Sequence, residues 1–100
     1  MTKPERQMAK TVAGPLSLEI RNQRGLHARA SAKFVTLANR YQATITVSKD
    51  GAEVIGTSIM GLLMLAAARG DRIEVRAEGG DAVAALQAIA DLVSGRFGEE

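Results

Sequence analysis

Thr44-Ile45-Thr46-Val47-Ser48-Lys49-Asp50-Gly51-Ala52-Glu53-Val54-Ile55 is the stretch on which the fold turns. Ile45 and Val47 alternate with Thr44 and Thr46, the period of a half-buried strand, and Ala52 to Ile55 alternates again. The Asp50-Gly51 pair between two such runs is a strong signal for a hairpin closed by a tight turn. Gly56 ends the second run.

Working outward, the segment from about Ala28 to Arg40 sets Ala30, Phe34, Leu37 and Ala38 near helical spacing, with Val35 beside them. Before it, Leu16, Leu18 and Ile20 alternate with Ser17, Glu19 and Arg21, another strand pattern, and Asn22 to Leu26 reads as a loop around Gly25. Residues Met1 to Gly14 lack any period, which predicts a flexible tail, order from Leu16 and a domain spanning 15–100. Downstream, Thr57 and Ser58 offer hydroxyl caps for a second helix, Ile59 to Leu65. From spacing alone that apolar helix is expected to be mostly core. Arg69-Gly70-Asp71 is turn chemistry, and Arg72 to Glu78 alternates with Ile73, Val75 and Ala77 inward. After Gly79-Gly80, Asp81 is the expected cap of a third helix whose stripe is Val83, Leu86, Ile89, Ala90, Val93 and Phe97, with Gly95 near its end. The order β-α-β-β-α-β-α predicts an α+β domain, one antiparallel sheet covered by helices on one face.

Composition narrows the function. One hundred residues fit one domain. The three aromatics, Phe34, Tyr41 and Phe97, leave the core aliphatic, and the absence of cysteine excludes disulfides, thiolate metal sites and cysteine nucleophiles. Thirteen basic against 11 acidic residues give a net charge of only +2. The pI near 9.4 therefore reflects a slight arginine excess rather than a basic stripe. With no clustered cations or stacking aromatics, nucleic-acid binding ranks last among the readings. The polar N-terminus does not read as a signal peptide, and the apolar run Ile59 to Ala68 is far short of the roughly 20 residues that span a bilayer. A soluble, intracellular monomer without a cofactor is the expectation.

The chemistry concentrates in Arg24-Gly25-Leu26-His27-Ala28-Arg29-Ala30. His27, the single histidine, falls where a loop becomes a helix. Unpaired first-turn N–H groups and the positive end of the helix dipole make that position an anion site. A neutral imidazole there would have a ring nitrogen free to attack. Arg29 adds a fork suited to phosphate, and Leu26 is expected to turn inward as an anchor. One histidine with no spaced carboxylate is a poor metal site. Gly51 through Ser58 superficially resembles a nucleotide-binding G-x-x-x-x-G-K-[ST] loop, but Thr57 replaces the lysine and Val54-Ile55 reads as strand.

Gly25-Leu26-His27-Ala28-Arg29 resembles the phosphorylation motif of the histidine-containing phosphocarrier (HPr) family of the phosphoenolpyruvate-dependent phosphotransferase system. Thr57-Ser58-Ile59-Met60-Gly61-Leu62 resembles the family's second hallmark, a regulatory serine followed by an apolar patch. The resemblance runs from Leu16 to about Phe97. It implies an open-faced β-sandwich with sheet order 1-4-2-3 and three helices on one side. It further implies a cytoplasmic carrier, not an enzyme, that accepts a phosphoryl group on Nδ1 of His27 from enzyme I and passes it to an enzyme IIA. Arg29 would steady the phosphate, and Ser58 would correspond to the serine that an HPr kinase/phosphorylase modifies in some bacteria. Ile59, Met60 and Leu63 would belong to the docking surface. Two departures stand out. Ala30 occupies a position where the family often has proline, and Arg24 one that is often small and polar. Alanine on both sides of Arg29 resembles the nitrogen-type branch of the system. The competing reading is an interaction module on the same fold that makes no use of His27.

Overall fold

The computed structural model describes residues 11–99. Strand β1 (Val12–Glu19) leads to helix α1 (Ala28–Ala38), the hairpin β2 (Thr44–Lys49) and β3 (Ala52–Ile55), and the short helix α2 (Ile59–Met64). Strand β4 (Arg72–Glu78), helix α3 (Ala82–Ser94) and a 3-10 turn at Arg96–Gly98 complete the chain. The four strands form one sheet in the order β1-β4-β2-β3, with every neighbouring pair antiparallel.

The hairpin closes as its sequence requires. Lys49 pairs with Ala52 across a two-residue loop, and Asp50 and Gly51 take φ of 52° and 86°. Both values are positive, so the turn matches the twist of its strands. In β4 the alternation is complete: Ile73, Val75 and Ala77 are fully buried while Arg72, Glu74, Arg76 and Glu78 are exposed. Ile45 and Val47 join them from β2, and Ala30, Phe34, Ile89 and Val93 close the core from the helices. Each buried Val, Ile or Phe side chain contributes about 1.5–3 kcal/mol by leaving water.

Several boundaries differ from the sequence expectations. The first strand begins at Val12 rather than Leu16 and runs through Gly14-Pro15, with a register shift between Ala13 and Leu16. Pairing of Val12 with Glu78 and Ala13 with Ala77 extends the strand to Val12, although Val12 itself is exposed. Of the expected tail, Met1 to Gly14, residues 1–10 lie outside the described residues, and Val12 to Gly14 belong to β1. Helix α1 stops at Ala38, with Asn39 as its C-cap.

Asp81 makes no side-chain cap to α3; its Oδ2 accepts from the Gln42 N–H at 2.8 Å instead. Helix α3 buries Ala82, Ala85, Leu86, Ile89 and Val93, and Val83 points to solvent. Small alanines face the sheet because α3 packs on β1 and β4. Phe97 is buried from beyond the helix, through a backbone reversal with φ of 55°. Helix α2 is not mostly core, for within it only Leu62 is buried. Among the described residues, no helix is long and apolar enough to cross a membrane.

Candidate functional site

His27 is the N-cap of α1 with extended backbone (φ −75°, ψ −179°), and its Nδ1 accepts the Arg29 N–H at 3.2 Å. Its carbonyl accepts the Ser31 N–H at 2.8 Å, the first intrahelical bond. The N–H groups of Ala28 and Ala30 donate no hydrogen bond among the described residues, which leaves two first-turn donors open beside His27 in the chain. Leu26 is buried and its N–H is tied to the Ala67 carbonyl at 2.9 Å, which anchors the loop as its sequence suggests.

The other ring nitrogen finds a partner that the sequence does not announce. Nε2 of His27 meets Oε2 of Glu99, and Oε1 of Glu99 accepts from Asn22 Nδ2 at 3.0 Å. Asn22 is buried, and the same Nδ2 donates to the Gly25 carbonyl at 2.8 Å. Lys33 Nζ donates to the Phe97 carbonyl at 2.7 Å and fastens the C-terminal turn to α1. These partners assign the tautomer. Nδ1 offers its lone pair to a backbone N–H, and Nε2 carries its proton towards a carboxylate. The nitrogen without a proton is therefore Nδ1, the one at the start of the helix. An orienting carboxylate that fixes tautomer and ring plane is the arrangement that makes an imidazole effective in group transfer.

Glu99 titrates abnormally. Its partial burial pushes the carboxyl up, but the hydrogen bonds from Asn22 and His27 and the attraction of His27 and Lys33 outweigh this and hold it below its usual range. A depressed carboxyl stabilises the fold above its unfolded value and loses that contribution as pH falls through the folded one. Glu99→Gln should therefore melt at lower temperature than the parent near neutrality, with the gap closing as acid titrates Glu99 below the ordinary carboxylate range. Thermal unfolding from pH 7 to 3 measures this, and a gap that persists in acid would contradict it.

The Arg29 side chain is exposed and, like that of Arg24, makes no hydrogen bond or ion pair among the described residues. Both are free to meet an incoming anion. Ser58 caps α2, its Oγ accepting the Gly61 N–H at 2.9 Å. Helix α1 packs against α2, which places the two motifs on adjoining helices. No hydrogen bond joins Ser58 to His27 among the described residues. Ile59, Met60 and Met64 are exposed and Leu63 is half-buried, leaving an apolar surface on α2. No group of three or more potential metal ligands occurs among the described residues.

Residues 16–95 match the family described as "PTS HPr component phosphorylation site". The chain is 49% identical over 83 residues to phosphocarrier protein HPr of Neisseria meningitidis serogroup A, covering 83% of this chain and 93% of that protein. It is 40% identical over 99 residues to phosphocarrier protein NPr of Shewanella violacea, covering 99% of this chain and 98% of the relative. Its fold superimposes on the crystal structure of HPr-C-His from Thermoanaerobacter tengcongensis with a TM-score of 0.82 at 41% identity, over 85% of this chain and 96% of that one. With a matching family spanning most of its length, close relatives and a shared fold, the chain belongs to the HPr family of phosphocarrier proteins of the phosphotransferase system.

Proposed function

We propose that His27 is the residue that carries the phosphoryl group, on Nδ1, accepted from enzyme I and delivered to an enzyme IIA. The observation that carries this reading is the pair of partners on one ring: a backbone N–H on Nδ1 and the Glu99 carboxylate on Nε2. The Nδ1 lone pair gives up the Arg29 N–H and attacks the donor's phosphorus; a P–N bond forms, and the donor's own bond to phosphorus breaks. No proton needs to leave the ring, because Nε2 already holds it. The positive charge that develops on the imidazole is met by Glu99. The added charge on phosphate oxygens meets the Ala28 and Ala30 N–H groups, the helix dipole and the Arg29 fork. The chain is then a substrate of transferases, not a catalyst, and works in the cytoplasm.

Mixing the protein with phosphoenolpyruvate, Mg²⁺ and a cognate enzyme I should give one phosphate adduct by intact mass, labile in acid and stable in base. No adduct from an active enzyme I would leave the interaction-module reading.

Ser58 is the proposed regulatory position, a substrate for an HPr kinase/phosphorylase, and Ile59, Met60 and Leu63 the proposed docking surface. A phosphate on a helix N-cap is tolerated by the helix, yet it sets a dianion beside exposed Ile59 and Met60. Ser58→Asp should keep its far-ultraviolet circular dichroism and slow His27 phosphorylation by about tenfold, the cost of a charge at an apolar contact. An unchanged rate would count against a regulatory effect of charge at Ser58 on docking.

A further inference from the structure

Three arginines that the carrier site does not use converge on one cavity. It has a volume of about 370 Å³ and is lined by Glu19, Ile20, Arg21, Arg69, Gly70 and Arg96. The arginines come from separate segments: Arg21 just past β1, Arg69 in the turn before β4, and Arg96 in the turn after α3. Two backbone bonds hold the first two segments together, Ile20 N–H to the Asp71 carbonyl and Gly70 N–H to the Ile20 carbonyl, both at 2.8 Å. The third is held by a reversal in which Arg96 and Phe97 take φ of 60° and 55°. Such backbone is unfavourable for side-chain-bearing residues and persists where the surroundings enforce it. Here the buried Phe97 ring and the Lys33 bond to the Phe97 carbonyl do so.

None of the three guanidiniums makes a hydrogen bond or ion pair among the described residues. The single carboxylate of the cavity, Glu19, stands 4.0 Å from Nη1 of Arg72, which lies outside the lining. Three like charges thus share one concavity against one acid, and a bound anion is what would relieve them.

We propose that this cavity is a binding site for a small phosphorylated anion. Planar guanidinium forks match phosphate oxygens in pairs. Three positive charges against one negative suit a ligand carrying about two charges, the state of a phosphate monoester near neutrality. The volume falls in the range of metabolite sites, roughly 300–1,000 Å³. No aromatic side chain lines it, so nothing is there to stack on a nucleobase. At Gly70 even an added Cβ would meet no atom within 4 Å, so the wall is open to a ligand there. The site also reaches the His27 network through the chain, since Arg21 precedes Asn22 and the Glu99 N–H donates to the Arg96 carbonyl at 2.9 Å. Nothing in this inference requires His27 to carry phosphate.

The test is a titration of ¹⁵N-labelled protein with inorganic pyrophosphate at about 0.15 M salt, where diffuse surface attraction is screened. Saturable shifts are expected at Gly70 and at the Nε–H groups of Arg21, Arg69 and Arg96. Arg21→Gln with Arg69→Gln should weaken binding about tenfold or more, by loss of charge-assisted bonds. Arg40→Gln with Arg76→Gln, an equal charge change elsewhere, should leave it within about twofold. Equal losses in the two double variants, or the absence of saturable shifts, would overturn the site. Equal affinity for citrate would overturn the assignment to phosphate.

Discussion

His27→Ala should take up no phosphoryl group from enzyme I and phosphoenolpyruvate under conditions that fully convert the parent protein. The expected effect is complete loss, because no other side chain combines a lone pair on a ring nitrogen with the donors of a helix N-terminus. The fold should survive. Removing the ring deletes the Nδ1 cap of α1, worth about 1 kcal/mol, and leaves Glu99 with Asn22 as its remaining side-chain partner. For a domain of this size that lowers Tm by about 4–8 °C. His27→Asn separates the two roles. Its amide oxygen can still cap the helix, so stability should recover most of the loss, while phosphorylation stays at zero. Intact-mass analysis of both variants, with melting curves, checks the pair. An acid-labile adduct of parental yield on either would remove His27 as the acceptor.

What the sequence made legible was local. Asp50-Gly51 prescribes its own turn, β4 declares its inward face by strict alternation, and Ser58 and His27 stand directly before the helices they cap. What escaped it depends on distant partners. Glu99 and Asn22 are 77 residues apart, and the Glu99–His27 contact spans 72, so no window of sequence contains the network that sets the tautomer. Glu99 gives no local cue, being one of two acids near the chain end. The start of β1 is hidden for a related reason. Val12 is exposed and Gly14-Pro15 breaks the alternation that begins at Leu16, so the first residues of the strand lack an apolar signature and are placed by pairing with β4. Helix α3 turns its alanines inward because a close approach to the sheet favours small residues, whereas hydrophobicity alone points to Val83. Helix α2 misleads in the opposite sense. Its apolar residues read as core, but six residues beside α1 and β3 can bury only one side, and Ile59, Met60 and Met64 remain in solvent. Exposed apolar side chains grouped on one short helix form a patch that the fold itself does not require.

Gly25→Ala should be the most destabilising single-methyl change near the site. Gly25 has φ of 68°, where an alanine is strained by about 1–2 kcal/mol. Its Cβ would also overlap the Ala67 carbonyl oxygen and come within 3.0 Å of Ala68 Cα, both backbone atoms that no side-chain rotation can move aside. Overpacking of this kind adds about 1–3 kcal/mol. The same residue is bound on several sides: its N–H donates to the Asn22 carbonyl, and its own carbonyl accepts from Asn22 Nδ2 and the His27 N–H. Moving it therefore moves the His27 backbone and Asn22, which holds the Glu99 carboxylate. The expected fall in Tm is roughly 10–25 °C, with slower phosphorylation in the fraction that remains folded. Gly51→Ala supplies the comparison. Gly51 has φ of 86° but would place its Cβ in open space, so it suffers the strain without the clash. Its loss should be about 1–2 kcal/mol, and His27 phosphorylation should be unaffected. The difference between the two variants isolates the close approach of the Gly25 loop to Ala67. Equal melting temperatures would mean that the approach is looser than 3 Å contacts imply and that strain alone keeps glycine there.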